Sequence, residues 1–479
     1  MPKPDRLVMA KGHAMDTSHQ QSAAGSARSV PFTEAVRVWA RVAALSFGGP
    51  AGQIAVMHRI LVEEKRWVGE NRFLHALNYC MLLPGPEAMQ LATYIGWLLH
   101  GVRGGLVAGC LFVLPGFVAI LGLSILYASF QDLSWVQAVF FGIKAAVLAV
   151  VIEALLRIGK RALKTWPMYL IAATAFVAIF AFNVPFPFII AAAALVGFLG
   201  GRFDPDHFLV IKGREVSEEE DAFSSEPFLH AGSPESARPS WKASIRTALI
   251  WLGLWAAPIL ALVAIVGPDH VFTDLAVFFS KLAVVTFGGA YAVLAYMAQE
   301  AVQTHGWLAP GEMLDGLGMA ETTPGPLIQV VQFVGYMGGF REAGGISPLL
   351  SGIIASVIVT WVTFVPCFLW IFLGAPFIEK LRGAKLLTAA LSAVTAAVVG
   401  VILNLAIWFA LHVAFSELNE YRGFGTSLLV PNLASIDIAS VVIAAAALIA
   451  MLRFKIGMLT VLAVSAIVGA AYYLAILAA

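Results

Sequence analysis

Long apolar stretches separated by short polar loops make up most of this chain. A helix that spans the hydrocarbon core of a bilayer needs about 17 to 25 predominantly apolar residues. Stretches of this kind lie in both halves of the chain, and one more lies between the halves: 104–127, 134–157, 166–182, 185–201, 243–266, 346–373, 386–414, 433–452 and 456–477. The pattern therefore predicts an all-α, polytopic membrane protein.

Each half also begins with two weaker apolar segments that glycine and proline interrupt. The segments are 32–62 and 73–100 in the first half, and 272–303 and 311–340 in the second. A Gly-Gly pair breaks the first segment of each half and a Pro-Gly-Pro motif breaks the second: Gly48-Gly49, Gly288-Gly289, Pro84-Gly85-Pro86 and Pro324-Gly325-Pro326. Neither motif continues an α-helix, since proline lacks the N–H donor and glycine adopts other backbone conformations readily.

These interruptions recur at a constant distance along the chain. Ser-Phe-Gly-Gly at 46–49 returns as Thr-Phe-Gly-Gly at 286–289, an offset of 240 residues (286 minus 46). The Pro-Gly-Pro motifs keep this offset, and so do Trp67 and Trp307. A constant offset over such a distance indicates an internal duplication. A duplicated apolar chain with paired Gly/Pro interruptions is typical of a secondary transporter.

The lysines and arginines of short loops indicate how each half faces the membrane, because such loops stay on the cytoplasmic side. The loop 157–164 is strongly basic, whereas its counterpart 416–422 is not. In the pair of loops one helix earlier, the lysines and arginines lie in the loop of the second half instead. We therefore expect two inverted repeats of about six membrane segments each. The unpaired segment 243–266 supplies the additional crossing that this inversion requires.

The interrupted segments have two interpretations. Lys65, Arg66 and Arg72 lie between the two interrupted segments of the first half, whereas the matching stretch of the second half contains no lysine or arginine. This asymmetry favours re-entrant hairpins that enter and leave on one side, with the breaks at their tips. The alternative is that each segment crosses the membrane completely. In either case, irregular backbone at membrane depth requires burial in protein or an aqueous cavity.

Composition supports this organisation of the chain. Hydrophobic residues form 60% of the sequence and charged residues 12%, which excludes an ordinary soluble domain with roughly 25% charged residues. We expect a disordered cytoplasmic tail at 1–31, a first repeat at 32–201, a polar cytoplasmic linker at 202–242, a connecting helix at 243–266 and a second, inverted repeat at 267–479.

The breaks are the expected place of chemistry. A half-helix that starts at Pro86 or Pro326 presents free N–H groups and the positive end of its dipole, which together favour an anion. Inverted repeats bring the four breaks together near the membrane midplane. The alternative is that the breaks are only kinks that allow close packing of helices.

Polar side chains cluster at these breaks. Gln90 and Gln329 occupy equivalent positions if one residue is deleted after the second Pro-Gly-Pro motif. Each is expected to donate an amide N–H to an oxyanion. The alternative is that these glutamines form hydrogen bonds between helices. Lys144 lies within an apolar helix and is a natural counter-charge for a dianion, unless it pairs with a carboxylate such as Glu153. The expected substrate-binding residues are Gly48, Gly49, Gln53, Pro84, Gly85, Pro86, Gln90, Lys144, Gly288, Gly289, Thr323, Pro324, Gly325, Pro326 and Gln329.

Two acidic residues beside the Pro-Gly-Pro motifs are candidates for proton coupling. Glu87 directly follows the first motif, and Glu321 lies three residues before the second. An ionised carboxylate repels an anion, and protonation removes that repulsion. For Glu87 the alternative is an acid at a helix N-terminus that backbone N–H groups satisfy.

No cofactor, metal or nucleic acid is expected. The three cysteines are scattered among apolar residues and form no Cys-x-x-Cys pair. The sequence contains no haem-type histidine pair and no dinucleotide fingerprint, which argues against a membrane enzyme such as an oxyanion reductase. It has no basic patch with interleaved aromatic residues either. The expected partner is the lipid bilayer, and the oligomeric state is left open.

Taken together, the motifs resemble the chromate transporter (CHR) family in its long, two-domain form. The resemblance rests on Phe47-Gly48-Gly49-Pro50, Gln53, Trp67, Leu83-Pro84-Gly85-Pro86, Gln90, Leu91 and Gly96, and in the second copy on Phe287-Gly288-Gly289 and Thr323-Pro324-Gly325-Pro326. The second copy has Ala290 and Leu327 where the first has Pro50 and Glu87, so we expect functionally unequal halves.

The resemblance implies export of chromate across the bacterial inner membrane, driven by the membrane potential or the proton gradient, with the N-terminus in the cytoplasm. Sulfate is a tetrahedral dianion of the same shape. The alternative function is therefore uptake of sulfate or another oxyanion by a transporter or channel.

Overall fold

The computed structural model describes residues 30–210, 241–287, 290–377, 385–423 and 426–478. The tail 1–29, most of the linker 202–242, and Gly288 and Gly289 lie outside these ranges. Helices of the first half are α1 (Phe32–Leu45), α2 (Gly49–His58), α3 (Glu70–Cys80), α4 (Glu87–Phe130), α5 (Ser134–Ala162), α6 (Trp166–Phe182), α7 (Phe186–Phe203) and the short α8 (Pro205–Phe208).

The second half repeats this order after one additional helix. The helices are α9 (Trp241–Ile265), α10 (Val271–Val285), α11 (Ala290–Gln299), α12 (Pro310–Thr322), α13 (Val330–Arg341), α14 (Pro348–Gly374), α15 (Lys385–Ala414), α16 (Ile438–Leu452) and α17 (Met458–Ala478). An antiparallel hairpin of β1 (Leu418–Gly423) and β2 (Thr426–Pro431) lies between α15 and α16. The sequence analysis treated this stretch as a plain loop.

Seven helices in the described ranges are long and apolar enough to cross a membrane, and α6 and α16 are shorter apolar helices. They coincide with the stretches expected from the sequence, so the prediction of an all-α, polytopic membrane protein is confirmed. The helix α9 has no counterpart in the first half. None of its residues is buried, and it lies on the outside of the bundle against α14.

The two interrupted segments of the first half form hairpins that begin and end at the same end of the bundle. The chain leaves α1 at the Gly-Gly break and returns through α2 and a turn of π-helix, Arg59–Glu64. Nζ of Lys65 then lies 2.8 Å from the carboxylate of Glu34, near the start of α1. His100, at the end of the second hairpin, is hydrogen-bonded through Nε2 to the Val30 carbonyl at 2.8 Å. These contacts favour hairpins over two full crossings.

The second hairpin continues directly into a long crossing, with a sharp reversal inside α4. His100 and Gly101 have non-helical backbone angles, with φ of −139° and +61°. A Cβ added to Gly96 would lie 2.5 Å from the Gly104 carbonyl oxygen, so the two arms of α4 are packed against each other. This close approach requires glycine on both arms. The short arm therefore ends near residue 99, and the long arm starts near residue 102.

The second half contains hairpins of the same kind. Arg341, at the end of α13, donates to the Trp307 carbonyl at 2.7 Å, and Gly344 lies beside His270, just before α10. The long arm of α4 and its counterpart α14 run antiparallel, since Gly105 faces Phe372 and Gly109 faces Phe368. This equivalent pair of helices thus points in opposite directions, while the inversion of the two halves stays a prediction. The orientation of each half in the membrane stays a prediction.

The hairpin geometry predicts the accessibility of single cysteines. In a background whose native cysteines are replaced by alanine, Glu34→Cys, Lys65→Cys and Arg103→Cys should react with a membrane-impermeant maleimide from the same side, because the three positions lie at one end of the bundle. Asp132→Cys, which follows the crossing by α4, is the matched control and should react only from the opposite side. Labelling of Glu34→Cys and Lys65→Cys from different sides would show that the first segment is a full crossing.

Candidate functional site

Each Pro-Gly-Pro tip forms a backbone hydrogen bond with the residue that follows the first helix of the other half. The N–H of Gly85 donates to the Thr286 carbonyl at 2.8 Å, and the N–H of Gly325 donates to the Ser46 carbonyl at 2.9 Å. These two bonds are equivalent, since 286 minus 46 and 325 minus 85 both equal 240. Each Pro-Gly-Pro tip is therefore held by the break that ends the first helix of the other half.

Glycine is required at both tips. Gly85 has a φ of +123° and Gly325 a φ of +106°, which residues with a side chain rarely adopt. The opposite half also leaves no room for a side chain. A Cβ on Gly85 would lie 2.9 Å from Sγ of Cys367, and one on Gly325 would lie 3.1 Å from Cα of Gly116. Cys367 and Gly116 follow the equivalent prolines of α14 and α4 (366 minus 115 and 367 minus 116 both equal 251).

Both Pro-Gly-Pro motifs lead directly into helices. Pro86 is the residue before the first turn of α4, which begins at Glu87. In the second copy, Pro326 precedes a turn of 3₁₀-helix, Leu327–Gln329, and α13 follows at Val330. The half-helices thus start one residue later than expected. The first turn of a helix has N–H groups without partners inside the helix, which is the feature that suits an anion.

The glutamines at the breaks have different contacts. Nε2 of Gln53 donates to the Gly325 carbonyl at 2.6 Å, which links the two halves. Nε2 of Gln90 donates to the Pro84 carbonyl at 2.7 Å, and Nε2 of Gln329 donates to Oε1 of Gln332, also at 2.7 Å. Each amide group has two N–H bonds, and one is used here. The Oε1 atoms of Gln90 and Gln329 are buried without a partner in the described structure.

The other residues expected at the breaks contribute backbone geometry or a local hydrogen bond. Gly48 and Gly49 both have positive φ, at +85° and +70°, and they end the break before α2. Thr323 is buried just before the second tip and donates to the Ala320 carbonyl at 3.3 Å. Gly288 and Gly289 lie outside the described residues.

Arginines of α5 act electrostatically on the two candidate acids. Glu321 is 2% exposed and accepts a hydrogen bond of 2.6 Å from the hydroxyl of Tyr291, while its Oε2 atom has no partner among the described residues. Arg157 is within electrostatic range of Glu321, and Arg161 is within range of Glu87. The sequence analysis used these arginines only to orient the loop. Their i, i+4 spacing places both arginines on one face of α5. That spacing in the sequence could have predicted them as a positively charged face.

Lys144 forms its ion pair with the other half. Its Nζ atom lies 3.3 Å from Oδ2 of Asp315, so its carboxylate partner is Asp315. Glu153, the partner considered from the sequence, pairs with Arg157 instead. The hydroxyl of Tyr127 also donates to Asp315, at 2.7 Å. The sequence analysis missed both groups, although a single aspartate in an apolar stretch is itself a signal.

The fold, together with the contacts between each Pro-Gly-Pro tip and the other half, defines a polytopic membrane protein. It is built from two copies of a unit with interrupted helices. The chromate transporter family matches residues 33–198 and 273–470, and the chain belongs to this family. The expected resemblance is thereby confirmed.

Individual relatives cover most of the chain. A chromate transport protein of Cupriavidus metallidurans is 29% identical over 388 residues, which are 80% of this chain and 84% of that protein. A chromate transport protein of Pseudomonas aeruginosa is 33% identical over 361 residues, covering 75% of this chain and 76% of that protein. An uncharacterized transporter of Methanocaldococcus jannaschii is 26% identical over 374 residues, or 78% of this chain and 83% of that protein. No solved structure matches.

The close contact between Gly116 and the second tip gives a stability prediction. In Gly116→Ala the added methyl group would lie 2.7 Å from the Pro324 carbonyl oxygen, so the tip has to shift. We expect the purified protein in detergent to lose about 1–3 kcal/mol of stability, as in other overpacked cores. The measurement is the midpoint of thermal unfolding.

Gly122→Ala is the matched control on the same helix, because a Cβ there has no neighbour within 4 Å. Replacing glycine by alanine stabilises a helix by about 1 kcal/mol at either position, so this contribution is the same in both variants. An equal thermal midpoint for the two variants would contradict the close packing of the tip.

Proposed function

We propose that this protein is a secondary transporter that exports chromate across the bacterial inner membrane. Membership of the chromate transporter family supports transport, and relatives from two bacteria are named as chromate transport proteins. The observation that carries the proposal is the reciprocal pair of hydrogen bonds from Gly85 to Thr286 and from Gly325 to Ser46. It brings two half-helix N-termini of opposite direction to one place between the halves.

This arrangement suits a tetrahedral dianion. The first turns after Pro86 and Pro326 supply backbone N–H groups and the positive ends of two helix dipoles. In this proposal, the amide N–H groups of Gln90 and Gln329 bind further oxygens of the anion. The remaining members of the substrate-binding set shape the site: Gly48, Gly49, Gln53, Pro84, Gly85, Gly288, Gly289, Thr323, Pro324 and Gly325.

The charged groups near the breaks give the site its electrostatic character. Arg157 and Arg161 act electrostatically on the two acids, Glu321 and Glu87, and attract an anion toward the breaks. When ionised, the acids oppose the anion, and protonation removes that repulsion. We therefore keep both acids as candidate proton-coupling groups. Lys144 contributes positive charge only when its pairing with Asp315 is loosened.

Export of a dianion agrees with the usual electrical gradient. An inside-negative membrane potential favours outward movement by about 2.3 kcal/mol per charge for each 100 mV. The proposed arrangement has the N-terminus and the linker 202–242 in the cytoplasm, the repeats 32–201 and 267–479 inverted, and 243–266 as the connecting helix. Alternating access at one central site then moves the anion between the two sides.

Sulfate is the competing substrate, since helix dipoles and amide N–H groups treat the two tetrahedral dianions alike. Anion size and bond length are the remaining differences, and they discriminate weakly. Sulfate is therefore expected to inhibit chromate transport at sufficient concentration.

Chromate flux into inverted membrane vesicles tests the proposal. Energised vesicles with the wild-type protein should accumulate ⁵¹Cr-labelled chromate, and an uncoupler should abolish accumulation. Gln90→Ala and Gln329→Ala should each lower the initial rate by about 10- to 100-fold, which corresponds to one lost hydrogen bond to a charged group. Gln131→Ala removes an amide from the loop after α4 and should leave the rate unchanged.

Two results would contradict parts of this proposal. Equal chromate rates for the Gln90 and Gln329 variants and wild type would place the anion elsewhere. Sulfate accumulation without any chromate accumulation would identify the alternative substrate and exclude a chromate exporter.

A further inference from the structure

An ion pair between the buried carboxylate of Asp315 and the partly exposed ammonium group of Lys144 (side chain 34% exposed) joins the two halves of the protein. Asp315 lies on α12 of the second half with a side chain that is 2% exposed, and Lys144 lies on α5 of the first half. Nζ of Lys144 lies 3.3 Å from Oδ2 of Asp315, and the hydroxyl of Tyr127 donates to the same oxygen at 2.7 Å. Since Tyr127 belongs to the long arm of α4, three helices from both halves meet at one carboxylate.

The surrounding packing fixes this cluster. The ring of Tyr127 packs edge-on against Phe140 of α5 and Phe333 of α13, with ring centroids 5.1 Å and 5.4 Å apart. Gly311 of α12 lies beside Nζ of Lys144, and a side chain there would approach the ammonium group to 3.1 Å. Small residues on α12 thus allow the lysine to reach the carboxylate.

The second oxygen of Asp315 distinguishes the cluster from a purely structural ion pair. Its Oδ1 atom is buried and has no hydrogen-bond partner in the described part of the chain. Buried polar atoms in folded proteins are nearly always paired, and a partly satisfied carboxylate in an apolar surrounding is costly. Ionisable residues at such positions in membrane segments are typically functional, with proton relays among their roles.

Internal symmetry does not account for the cluster. The positions equivalent to Asp315 and Lys144 are His75 (315 minus 240) and Thr395 (144 plus 251). The hydroxyl of Thr395 donates to the Leu391 carbonyl within its own helix, at 2.7 Å. The acid–base pair is therefore present at one of the two equivalent places, which makes the halves electrostatically unequal.

The other charged groups that face Asp315 are few. Glu312 lies one turn earlier on α12 and is paired with Arg341 of α13 at 2.6 Å. The helices α15 and α17 also contact α12, but their titratable side chains form no hydrogen bond or ion pair with Asp315; these are Lys385, His412, Tyr472 and Tyr473. Lys144 and Tyr127 are therefore the direct side-chain partners of the Asp315 carboxylate in the described part of the chain.

We propose that Asp315 is a proton-binding site that couples the transport function to protons, with Lys144 as its counter-charge. The ionised carboxylate attaches α12 to α4 and α5, and so holds the second hairpin of one half against the other half. Proton binding cancels the attraction to Lys144 and allows α12 to move relative to α5. This inference rests on the proposed function, and it assigns proton coupling to Asp315 in preference to Glu87 and Glu321.

Reconstituted proteoliposomes separate proton coupling from substrate passage. Chromate counterflow measures exchange without any gradient, while net flux driven by a pH gradient at clamped zero potential requires proton coupling. We expect Asp315→Asn to keep counterflow within about twofold of wild type and to lose pH-driven flux by at least about tenfold. Asp204→Asn removes an acid from an exposed ion pair and should behave as wild type.

A conservative variant keeps the test decisive if Asp315→Asn folds poorly. Asp315→Glu retains an ionisable carboxylate within reach of Lys144 and Tyr127. It should keep counterflow within about twofold of wild type and retain pH-driven flux.

The outcomes distinguish this inference from the proposed function. Full pH-driven flux in a folded Asp315→Asn protein, or the loss of pH-driven flux with unchanged counterflow in a folded Asp315→Glu protein, would overturn the proton site. Wild-type counterflow without pH-driven flux would overturn it as well. Absence of chromate counterflow in the wild type would instead refute the chromate proposal, on which this inference depends.

Discussion

The pair of hydrogen bonds exchanged by the breaks is the constraint on which the rest of this structure depends. Backbone that leaves a helix inside a membrane protein must find partners in the protein, because the surrounding lipid offers none. Here the N–H groups of Gly85 and Gly325 find them on Thr286 and Ser46 of the opposite half. Neither half satisfies its own breaks in this way, so the two copies depend on each other at one junction, beside the antiparallel pair α4 and α14.

The junction is symmetric in its backbone and asymmetric in its side chains. Gly116 lies against one tip and Cys367 against the other. Gln53 links the halves on one side, and Val293 occupies the equivalent position, 240 residues later. The acid–base pair of Asp315 likewise has no counterpart. Symmetry thus accounts for the paired backbone contacts of the junction, whereas the side chains on its two sides differ.

The sequence predicted the elements and the breaks because both depend on local composition. Apolar length identified the spans, and the constant offset of Pro84 and Pro324 identified the repeat. It did not predict the β-hairpin after α15, where the strands pair outside the apolar pattern. Nor could it select Asp315 over Glu153 as the partner of Lys144, since that partner lies in the other half and depends on how the halves pack. Long-range side-chain pairs are the part that local patterns do not encode.

The most direct test of this account is to locate the anion itself. Crystals of the protein grown with chromate would show chromium as an anomalous scatterer. The account predicts one strong peak between the first turns after Pro86 and Pro326, within hydrogen-bond distance of Gln90 and Gln329, and its loss when sulfate replaces chromate in excess. A chromium peak on the outer surface only, with none between the two Pro-Gly-Pro tips, would contradict it.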